Sequence, residues 1–485
     1  MTTIAAPRFT LTIAGNGVPS HTGETFTRIS PFDGTVVGEY ANADAVDAES
    51  AIDAARVAFD SGAWPTTPAR TRYDVLTAIA RLIRENKDEF AERMVSESGK
   101  PLSTALGEIG GAANTFEYYA GAALASEGSA ISERRPNALG LVLREPVGVA
   151  AFIPAWNFPL LGVVNKLAPA LAAGCTVVVK PSHMCSGPTV LLAKYLADAG
   201  LPAGVFNVVT SDRDRGAVVG QVLAASTKVD KVAFTGSTSS GQAVMRAAAE
   251  NTKRVSLELG GKSANIVFAD ADLEKAAATA VAAFCYNSGQ QCSAGSRLLV
   301  QRSIYTEFLD MVVSRVDDQV VGDPSEPATT MGPLISPEQF ARVTEYIAIG
   351  SREGRRATGE SDANPANNLL RPTIFEVANS TRLAQEEVFG PVLAVIPFED
   401  EADAIRIAND TRYGLAGGVW TTDINRAFRV IKAIRTGKMF VNCYNSSGLD
   451  DMPHGGYKDS GFGREFGEAG LEEFLELKTV QVLLS

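Results

Sequence analysis

The chain has 485 residues, 45% of them hydrophobic, and a formal net charge of −12 at pH 7. This length predicts two to four domains with large cores, and the negative charge argues against nucleic acid or an anionic membrane surface as a partner. Five irregularly spaced cysteines without a CxxC pair, and only three histidines, favour neither a disulfide framework nor a metal site. The first 20 residues lack a continuous apolar run, so we expect a cytoplasmic protein.

The N-terminal third is predicted to be helical. Apolar residues recur at positions i, i+3 and i+4 over residues 45–61 and 68–100, with charged residues between them. This spacing predicts amphipathic helices that pack one face on a core.

From residue 147 onward, short apolar runs alternate with helical segments. The predicted strands are 147–153, 175–179, 205–209, 231–234 and 264–267, and the helices between them are 160–173, 187–199, 216–225 and 241–250. Such alternation is typical of a parallel sheet with helices on both faces, which binds nucleotides at the carboxyl ends of its strands. A second series over 273–442, with strands 297–301, 392–397 and 418–420, predicts a second α/β domain, with the site between the two.

Two short segments carry candidate chemistry. Residues 287–292 read Asn-Ser-Gly-Gln-Gln-Cys, and residues 257–262 place Glu258 in a glycine-flanked turn. A thiolate attacks carbonyl carbon, and a carboxylate can activate the water that hydrolyses the adduct. Cys292 and Glu258 therefore suggest redox or acyl chemistry at an aldehyde, although a lone cysteine is more often a buried core residue.

The turn at 234–241, Phe-Thr-Gly-Ser-Thr-Ser-Ser-Gly, follows a predicted strand and opens a predicted helix. Free backbone N–H groups and the helix dipole favour a phosphate at such a position. The turn is not a strict GxGxxG, so by itself it is a weak sign of a nucleotide.

Four further motifs complete a recognisable order along the chain: Trp-Asn-Phe-Pro at 156–159, Lys-Pro-Ser at 180–182, Glu-Glu-Val-Phe-Gly-Pro at 386–391, and the glycine-rich segment 453–465. With the segments above, they resemble the NAD(P)-dependent aldehyde dehydrogenase superfamily over nearly the whole chain. The resemblance implies an α/β fold with a Rossmann-like dinucleotide-binding domain (1–123 and 147–257), an α/β catalytic domain (258–455) and a small β oligomerisation element (124–146 and 456–485). It also implies a homodimer or homotetramer in which strand 479–484 and a hairpin near 131–144 pair between subunits.

The resemblance assigns four catalytic residues. Cys292 matches the nucleophile, Asn157 the side-chain amide that stabilises the oxyanion, Glu258 the base that activates water, and Glu465 a carboxylate that relays protons. Members that transfer the acyl group to coenzyme A usually lack the base, so Glu258 favours a free acid product. The implied cofactor contacts are Ile153, Trp156, Lys180, Ser182, His183, Phe234, Gly236, Ser237, Ser240, Leu259, Glu387 and Phe389.

His183 departs from the pattern of NAD-preferring members, which often carry a glutamate there. A carboxylate at this position would repel the 2′-phosphate of NADP. Its absence predicts use of NAD or NADP, with Arg213 or Arg215 near the phosphate.

The substrate pocket also departs from that of relatives with a hydrophobic tunnel. Its predicted residues are Gly111, Phe158, Gly162, Asn165, Cys285, Tyr286, Gln291, Ser293, Ser447 and His454. Small and polar residues replace bulky ones, so we expect a bulky aromatic or oxygenated aldehyde. An aliphatic aldehyde is an alternative, and an acidic semialdehyde would need a cationic anchor that the sequence does not locate.

Two other classes of protein remain to be weighed: a thiol hydrolase that needs no nicotinamide, and a noncatalytic protein on the same fold. Retention of Cys292, Glu258 and Asn157 together argues against the noncatalytic protein.

Overall fold

Two largely parallel sheets with helices on both faces form the frame of the protein. The computed structural model describes residues 6–132, 134–359, 363–445 and 451–484. The helices are α1 (Ala45–Asp60), α2 (Ala69–Glu85), α3 (Lys87–Ser98), α4 (Leu102–Ala125), α5 (Leu161–Ala173), α6 (Gly187–Asp198), α7 (Arg213–Ala225), α8 (Thr238–Ala248), α9 (Leu273–Cys285), α10 (Tyr305–Val316), α11 (Pro337–Glu353), α12 (Arg382–Gln385), α13 (Glu401–Asn409), α14 (Ile424–Ala433) and α15 (Gly467–Glu472).

The strands are short, as expected for buried strands in an α/β fold. They are β1 (Arg8–Phe9), β2 (Leu11–Ile13), β3 (Asn16–Val18), β4 (Thr25–Ile29), β5 (Val36–Ala41), β6 (Ser129–Ile131), β7 (Ala138–Pro146), β8 (Val149–Ile153), β9 (Thr176–Val179), β10 (Phe206–Val208), β11 (Lys231–Thr235), β12 (Arg254–Glu258), β13 (Ala264–Val267), β14 (Arg297–Gln301), β15 (Arg355–Arg356), β16 (Thr373–Glu376), β17 (Val392–Phe398), β18 (Tyr413–Gly414), β19 (Ala416–Trp420), β20 (Lys438–Val441), β21 (Tyr457–Lys458), β22 (Gly461–Phe462) and β23 (Leu475–Leu483).

The first sheet has the order β22-β12-β11-β8-β9-β10-β2-β3, and β12 through β10 run parallel. Its central strands β8, β9, β10 and β11 are buried on both faces. In β8, Ala150 and Phe152 enter one hydrophobic cluster, whereas Val149 and Ala151 enter another on the opposite face. Because side chains alternate along a strand, such a sheet needs continuous apolar runs. The carboxyl ends of β8, β9, β11 and β12 therefore meet at one edge.

The second sheet has the order β15-β16-β17-β14-β13-β19-β20. Its strands from β16 to β20 run parallel, and hydrophobic clusters again cover both faces. The α/β fold predicted from the sequence therefore contains two parallel sheets. The proposed domain limits stay predictions.

A third, antiparallel sheet is formed by β23, β7 and β6. Within one chain, β7 pairs with β23 along its length, from Pro146 opposite Leu475 to Ala138 opposite Leu483. The outer strands of this sheet, β6 and β23, are largely exposed. Strand pairing between subunits stays a prediction.

The structure corrects three of the predicted elements. Residues 68–100 form two helices, because Asn86 interrupts the helix between α2 and α3. Strand β13 was expected in the first sheet, but it lies in the second sheet, between β14 and β19. In the first sheet, β12 occupies the position next to β11. The N-terminal third also contains strands β1 to β5. These strands are too short for an alternation of polar and apolar residues to be recognised in the sequence. No helix in the described ranges is long and apolar enough to cross a membrane.

Candidate active site

The carboxyl edge of the first sheet faces the loop that carries Cys292, and a cavity of about 320 Å³ lies between them. Its lining residues are Ala155, Trp156, Asn157, Thr235, Gly236, Ser237, Glu258, Leu259, Gly260, Cys292, Gln339, Arg342, Glu387 and Phe389. The sequence-predicted nucleophile, base and oxyanion donor thus share one cavity.

A left-handed stretch of backbone presents Cys292. Asn287, Ser288 and Gly289, which precede it, have φ values of 53°, 56° and 72°. A Cβ on Gly289 would lie 2.3 Å from main-chain atoms of Gly390, so only glycine fits there. After the thiol, Tyr444 donates its hydroxyl to the Ser293 carbonyl at 3.0 Å. Strained backbone of this kind persists only where surrounding contacts fix it, which indicates that the position of the thiol is held.

Asn157 is tied to the same loop. Its Nδ2 donates to the Gln290 carbonyl at 3.1 Å, and its own carbonyl accepts from Asn287 Nδ2 at 3.1 Å. The two segments therefore fix each other across the cavity. An amide donor beside the nucleophile is suited to stabilising an oxyanion.

A buried ion pair supports Asn157 from behind. Lys100 and Glu108 form a salt bridge with both side chains 0% exposed, and Lys100 Nζ donates to the Asn157 carbonyl at 2.9 Å. Glu108 in turn accepts from the backbone N–H groups of Leu160 and Leu161, at 3.0 Å each, where α5 begins. The ion pair thus joins the Asn157 loop to α4 and α5.

The Cys292 thiol lies among carboxylates. Burial, and then the charges of Glu258, Glu387 and Glu465, raise its pKa to about 12. The thiol form therefore predominates at neutral pH in the free protein, and attack on a carbonyl requires removal of its proton.

Glu258 ends β12, opposite Thr235 of β11. Both of its carboxylate oxygens are buried and have no hydrogen-bond partner among the described residues, while His454 Nε2 lies 3.7 Å from Oε2. Burial, reinforced by the charge of Glu465, raises the pKa of Glu258 well above its usual range. A carboxylate with a raised pKa is a stronger base, so Glu258 is suited to removing a proton from water or a thiol.

Glu465 lies beside Glu258 but outside the lining of the cavity. It pairs with Lys166 of α5, whose Nζ also donates to Thr235 Oγ1 at 2.7 Å, and it accepts from Asn165 Nδ2 at 3.4 Å. The structure therefore places Asn165 against this carboxylate, and its Oδ1 is buried without a partner among the described residues. This cluster could move protons away from Glu258.

The predicted phosphate turn begins α8. Ser237 caps the helix by accepting from the backbone N–H of Ser240 at 3.2 Å, and Gly236 and Ser237 line the cavity at this helix N-terminus. A Cβ on Gly236 would lie 2.6 Å from the Phe234 ring, and one on Gly241 would lie 2.5 Å from Leu259. This tightly packed turn at a helix N-terminus fits the pyrophosphate of a dinucleotide.

On the opposite wall, Glu387 and Phe389 are held in place by α11. Glu387 Oε1 accepts from the Gly261 N–H at 2.9 Å, and burial raises its pKa to about 7. Phe389 has a φ of 62° and meets Trp156 edge to face at 5.3 Å. Gln339 donates to the Phe389 carbonyl and Arg342 to the Glu387 carbonyl, both at 2.7 Å. A carboxylate acceptor and two aromatic edges fit a nicotinamide riboside.

The remaining predicted cofactor residues do not line this cavity. Lys180 follows β9, and burial lowers its pKa to about 8. Burial, with the charges of Lys180 and Arg28, lowers the pKa of nearby His183 to about 4. Ser182 Oγ accepts from the Met184 N–H at 3.3 Å. Ile153 is buried at the end of β8 and packs under α7. These residues border the carboxyl ends of β8 and β9, where an adenosine would lie.

The predicted substrate residues lie in several separate parts of the structure. Phe158 and Tyr286 stack at 6.4 Å, and added Cβ atoms on Gly111 and Gly162 would meet Leu161 at 3.7 Å and Phe158 at 4.0 Å. Gln291 Nε2 donates to Ser293 Oγ at 3.1 Å, and Gln291 Oε1 is buried without a partner in the described ranges. His454 contacts Glu258 as above. None of these predicted substrate residues is among those that line the cavity at Cys292, so their contact with substrate stays a prediction.

Cys285 is 2% exposed and belongs to the hydrophobic cluster beneath α9, so the structure places it in the core rather than on the cavity surface. The resemblance to relatives with a hydrophobic tunnel had put Cys285 in the pocket, and this prediction is wrong because the side chain lies on the buried face of α9. Ser447 lies outside the described residues.

Sequence reasoning missed Lys100, Glu108, Lys166, Gln339 and Arg342. One signal was present for Lys166, which is a single cation in the apolar helix Leu161–Ala173. A buried lysine is costly unless paired, and so points to a carboxylate nearby. Among the described residues, no cluster of three or more His, Cys, Asp or Glu could hold a metal ion.

Comparison with known proteins identifies the chain. Residues 18–480 match the aldehyde dehydrogenase family. The chain is 43% identical over 477 residues to the betaine aldehyde dehydrogenase of Bacillus subtilis (strain 168), covering 97% of this chain and 96% of the relative. The crystal structure of an NAD-dependent aldehyde dehydrogenase from Sinorhizobium meliloti superposes with a TM-score of 0.96 at 40% identity, covering 99% of this chain and 95% of the other.

A third similar structure is the indole-3-acetaldehyde dehydrogenase of P. syringae, a mutant in complex with NAD+ and IAA. It has a TM-score of 0.95 at 41% identity, covering 98% of this chain and 96% of the other. These findings confirm the resemblance, the α/β fold and the nicotinamide cofactor inferred from the sequence. The chain therefore belongs to the aldehyde dehydrogenase family, and it is an oxidoreductase that oxidises an aldehyde with NAD(P).

Proposed function

We propose that the protein oxidises a bulky aromatic or oxygenated aldehyde to the free carboxylic acid with NAD(P)+ and water. One observation carries this proposal: Cys292, Asn157 and Glu258 line the same cavity. These three residues supply a nucleophile, an oxyanion donor and a base within reach of one carbonyl group.

The reaction begins when Cys292, having released its proton to solvent water, attacks the aldehyde carbon as a thiolate. The new oxyanion accepts hydrogen bonds from Asn157 Nδ2 and the Cys292 main-chain N–H. When bound, the nicotinamide of NAD(P)+ supplies the hydride acceptor, and the enzyme is left as a thioester. Glu258 then takes a proton from water, which attacks the thioester carbon, and the sulfur leaves as the acid is released. Glu258 thus favours hydrolysis over acyl transfer to coenzyme A.

The substrate class is supported by the walls of the site. The rings of Phe158 and Tyr286 offer stacking surfaces, while Gly111 and Gly162 leave room beside them. The relative that acts on indole-3-acetaldehyde also takes an aromatic aldehyde.

The charges around Cys292 help to distinguish between the alternative classes of aldehyde substrate. Glu258, Glu387 and Glu465 all raise the pKa of the thiol, so the site repels an anionic substrate. This disfavours an acidic semialdehyde and favours, as a second candidate, a cationic aldehyde such as the betaine aldehyde of the Bacillus subtilis relative.

Steady-state oxidation of a panel of aldehydes tests the proposal. The panel contains acetaldehyde, hexanal, benzaldehyde, a hydroxylated benzaldehyde, indole-3-acetaldehyde and betaine aldehyde, each with NAD and NADP. We expect the highest kcat/KM on an aromatic aldehyde and no NAD(P)H production by Cys292→Ala. Highest kcat/KM on acetaldehyde would overturn the substrate class. Hydrolysis of an ester such as 4-nitrophenyl acetate without nicotinamide, with no NAD(P)H formed from any of the aldehydes, would instead indicate a thiol hydrolase. Adding coenzyme A to the assay distinguishes the free acid from an acyl-CoA product.

A further inference from the structure

His454 is the side chain that approaches the unpartnered carboxylate of Glu258. Its Nε2 lies 3.7 Å from Glu258 Oε2, with side-chain exposures of 17% and 8%, respectively. Neither carboxylate oxygen has a hydrogen-bond partner among the described residues. A buried carboxylate without donors is costly to ionise, because nothing replaces its lost hydration.

The backbone around His454 is firmly placed. The His454 N–H and carbonyl exchange hydrogen bonds of 2.8 Å with the carbonyl and N–H of Glu465. The backbone that follows His454 is packed too closely for side chains at two glycines. A Cβ on Gly437 would lie 1.6 Å from the Gly455 carbonyl oxygen, and a Cβ on Gly455 would lie 2.6 Å from the Gly463 carbonyl oxygen. The ring also meets Phe466 edge to face at 6.5 Å. The backbone of the loop is thus fixed on both sides, and the hydrogen bond proposed below requires side-chain rotation to shorten the 3.7 Å separation to about 3.2 Å or less.

We propose that His454, as a neutral imidazole with its proton on Nε2, donates a hydrogen bond to Glu258 and so holds that carboxylate ionised and oriented for attack on water. This proposal rests on the proposed role of Glu258 as the base. His454 acts through Glu258, so it is a positioning residue rather than a catalytic one.

The surrounding charges agree with a neutral donor. Lys438 of β20, Lys166 of α5 and Arg464 oppose a second positive charge on His454, whereas Glu465 favours it. Burial outweighs Glu465 and lowers the pKa of His454 to about 4. Glu258 is faced by Glu465 and Glu473, which oppose its ionisation, and by Lys166 and Arg464, which favour it. A neutral donor adds to the stabilisation of the carboxylate without adding a charge to this balance.

The test is the pH dependence of kcat at saturating aldehyde and cofactor in His454 variants, because attack of water on the thioester follows hydride transfer and therefore contributes to kcat. Loss of the donor raises the pKa of Glu258, so in His454→Phe and His454→Met we expect the acidic limb to move up by about one pH unit. The position of the limb is the readout, rather than the height of the plateau, because His454 also belongs to the predicted substrate pocket. His454→Gln keeps an N–H near the position of Nε2 and should leave the limb within about 0.3 unit of the parent.

His21 provides the matched control, because it is an exposed histidine paired with Asp44 at 3.1 Å. His21→Phe should leave the profile unchanged. An unmoved limb in both His454→Phe and His454→Met would overturn the proposal. So would a limb in His454→Gln that moves as far as in His454→Phe.

Glu258→Gln separates this proposal from the proposed function. If Glu258→Gln keeps full steady-state turnover, the base role itself fails. If it loses turnover while the profiles of all the His454 variants match the parent, only the role of His454 fails.

Discussion

Lys100 Nζ donates to the main-chain carbonyl of Asn157 at 2.9 Å, so a buried cation holds the loop that carries the proposed oxyanion donor. The same ammonium pairs with Glu108 and lies 4.4 Å from the centroid of the Phe158 ring. One lysine thereby connects the oxyanion donor, the substrate wall and the beginning of α5. Residues far from the chemistry in sequence thus fix its geometry.

Lys100→Met should destabilise the protein strongly. The change leaves the Glu108 carboxylate buried without its partner, a situation that costs about 3–5 kcal/mol. Thermal unfolding followed by circular dichroism measures the effect. The double variant Lys100→Met with Glu108→Gln removes the unpaired charge and should unfold at a higher temperature than the single variant. A single variant as stable as the parent would contradict this account of the pair.

Asn157→Ala should lower kcat by about 10²–10³-fold, because the oxyanion loses a preorganised donor. The loss should appear in kcat more than in KM, since the donor acts on charge that develops after attack. Asn157→Asp is the matched variant, because it keeps the shape but presents an acceptor to the oxyanion, and it should be at least as impaired. If Asn157→Ala raises only KM, the residue binds substrate and does not stabilise the oxyanion.

Glu465→Gln should move the acidic limb of the pH profile to lower pH. Glu465 is the charge that, after burial, raises the pKa of Glu258, and it also raises the pKa of Cys292. Its removal lowers both pKa values, and the freed Lys166 charge acts in the same direction. The base must be ionised to act, so activity is lost as pH falls through its pKa, and a lower pKa extends activity to lower pH. Profiles of kcat at saturating substrates for parent and variant measure the shift. A limb that moves to higher pH would contradict it.

Arg213→Ala should reduce kcat/KM for NADP relative to NAD by about tenfold or more. This is the effect expected when a hydrogen bond between the guanidinium and the 2′-phosphate is lost. Arg213 begins α7, and its charge contributes to lowering the pKa of His183. Arg215→Ala is the matched control, because that guanidinium is already paired with Glu24 and donates to the Asn42 carbonyl at 2.9 Å. The ratio of the two kcat/KM values is the measurement. A parent enzyme that strongly prefers NAD, or an equal effect of both changes, would reject a phosphate contact at Arg213.

His183→Glu should exclude NADP by placing a carboxylate beside the 2′-phosphate. We expect kcat/KM for NADP to fall while that for NAD is kept or rises, since a carboxylate can accept from the ribose 2′-hydroxyl. His183→Gln, which adds no charge, serves as the control. An equal loss with both cofactors would place His183 outside the 2′ site.

Several parts of the fold could be predicted because their signal is local. The apolar runs of β8, β9 and β11 are continuous because both faces of the sheet are buried, and the turn at Gly236 precedes α8 as expected. The break at Asn86 and the short strands before Ala41 could not be predicted, because tertiary contacts outweigh weak local preferences there.

By itself, the sequence determined the chemistry: a thiol, an amide and a carboxylate in a motif order that identifies the family. The tertiary structure alone decided how these groups are held and charged. Cys285 is in the core, Lys100 supports Asn157, and His454 faces Glu258, because residues distant in the chain meet only when the two sheets and the C-terminal segment pack together. The pKa values that govern the site follow from that burial, and burial is a property of the folded chain as a whole.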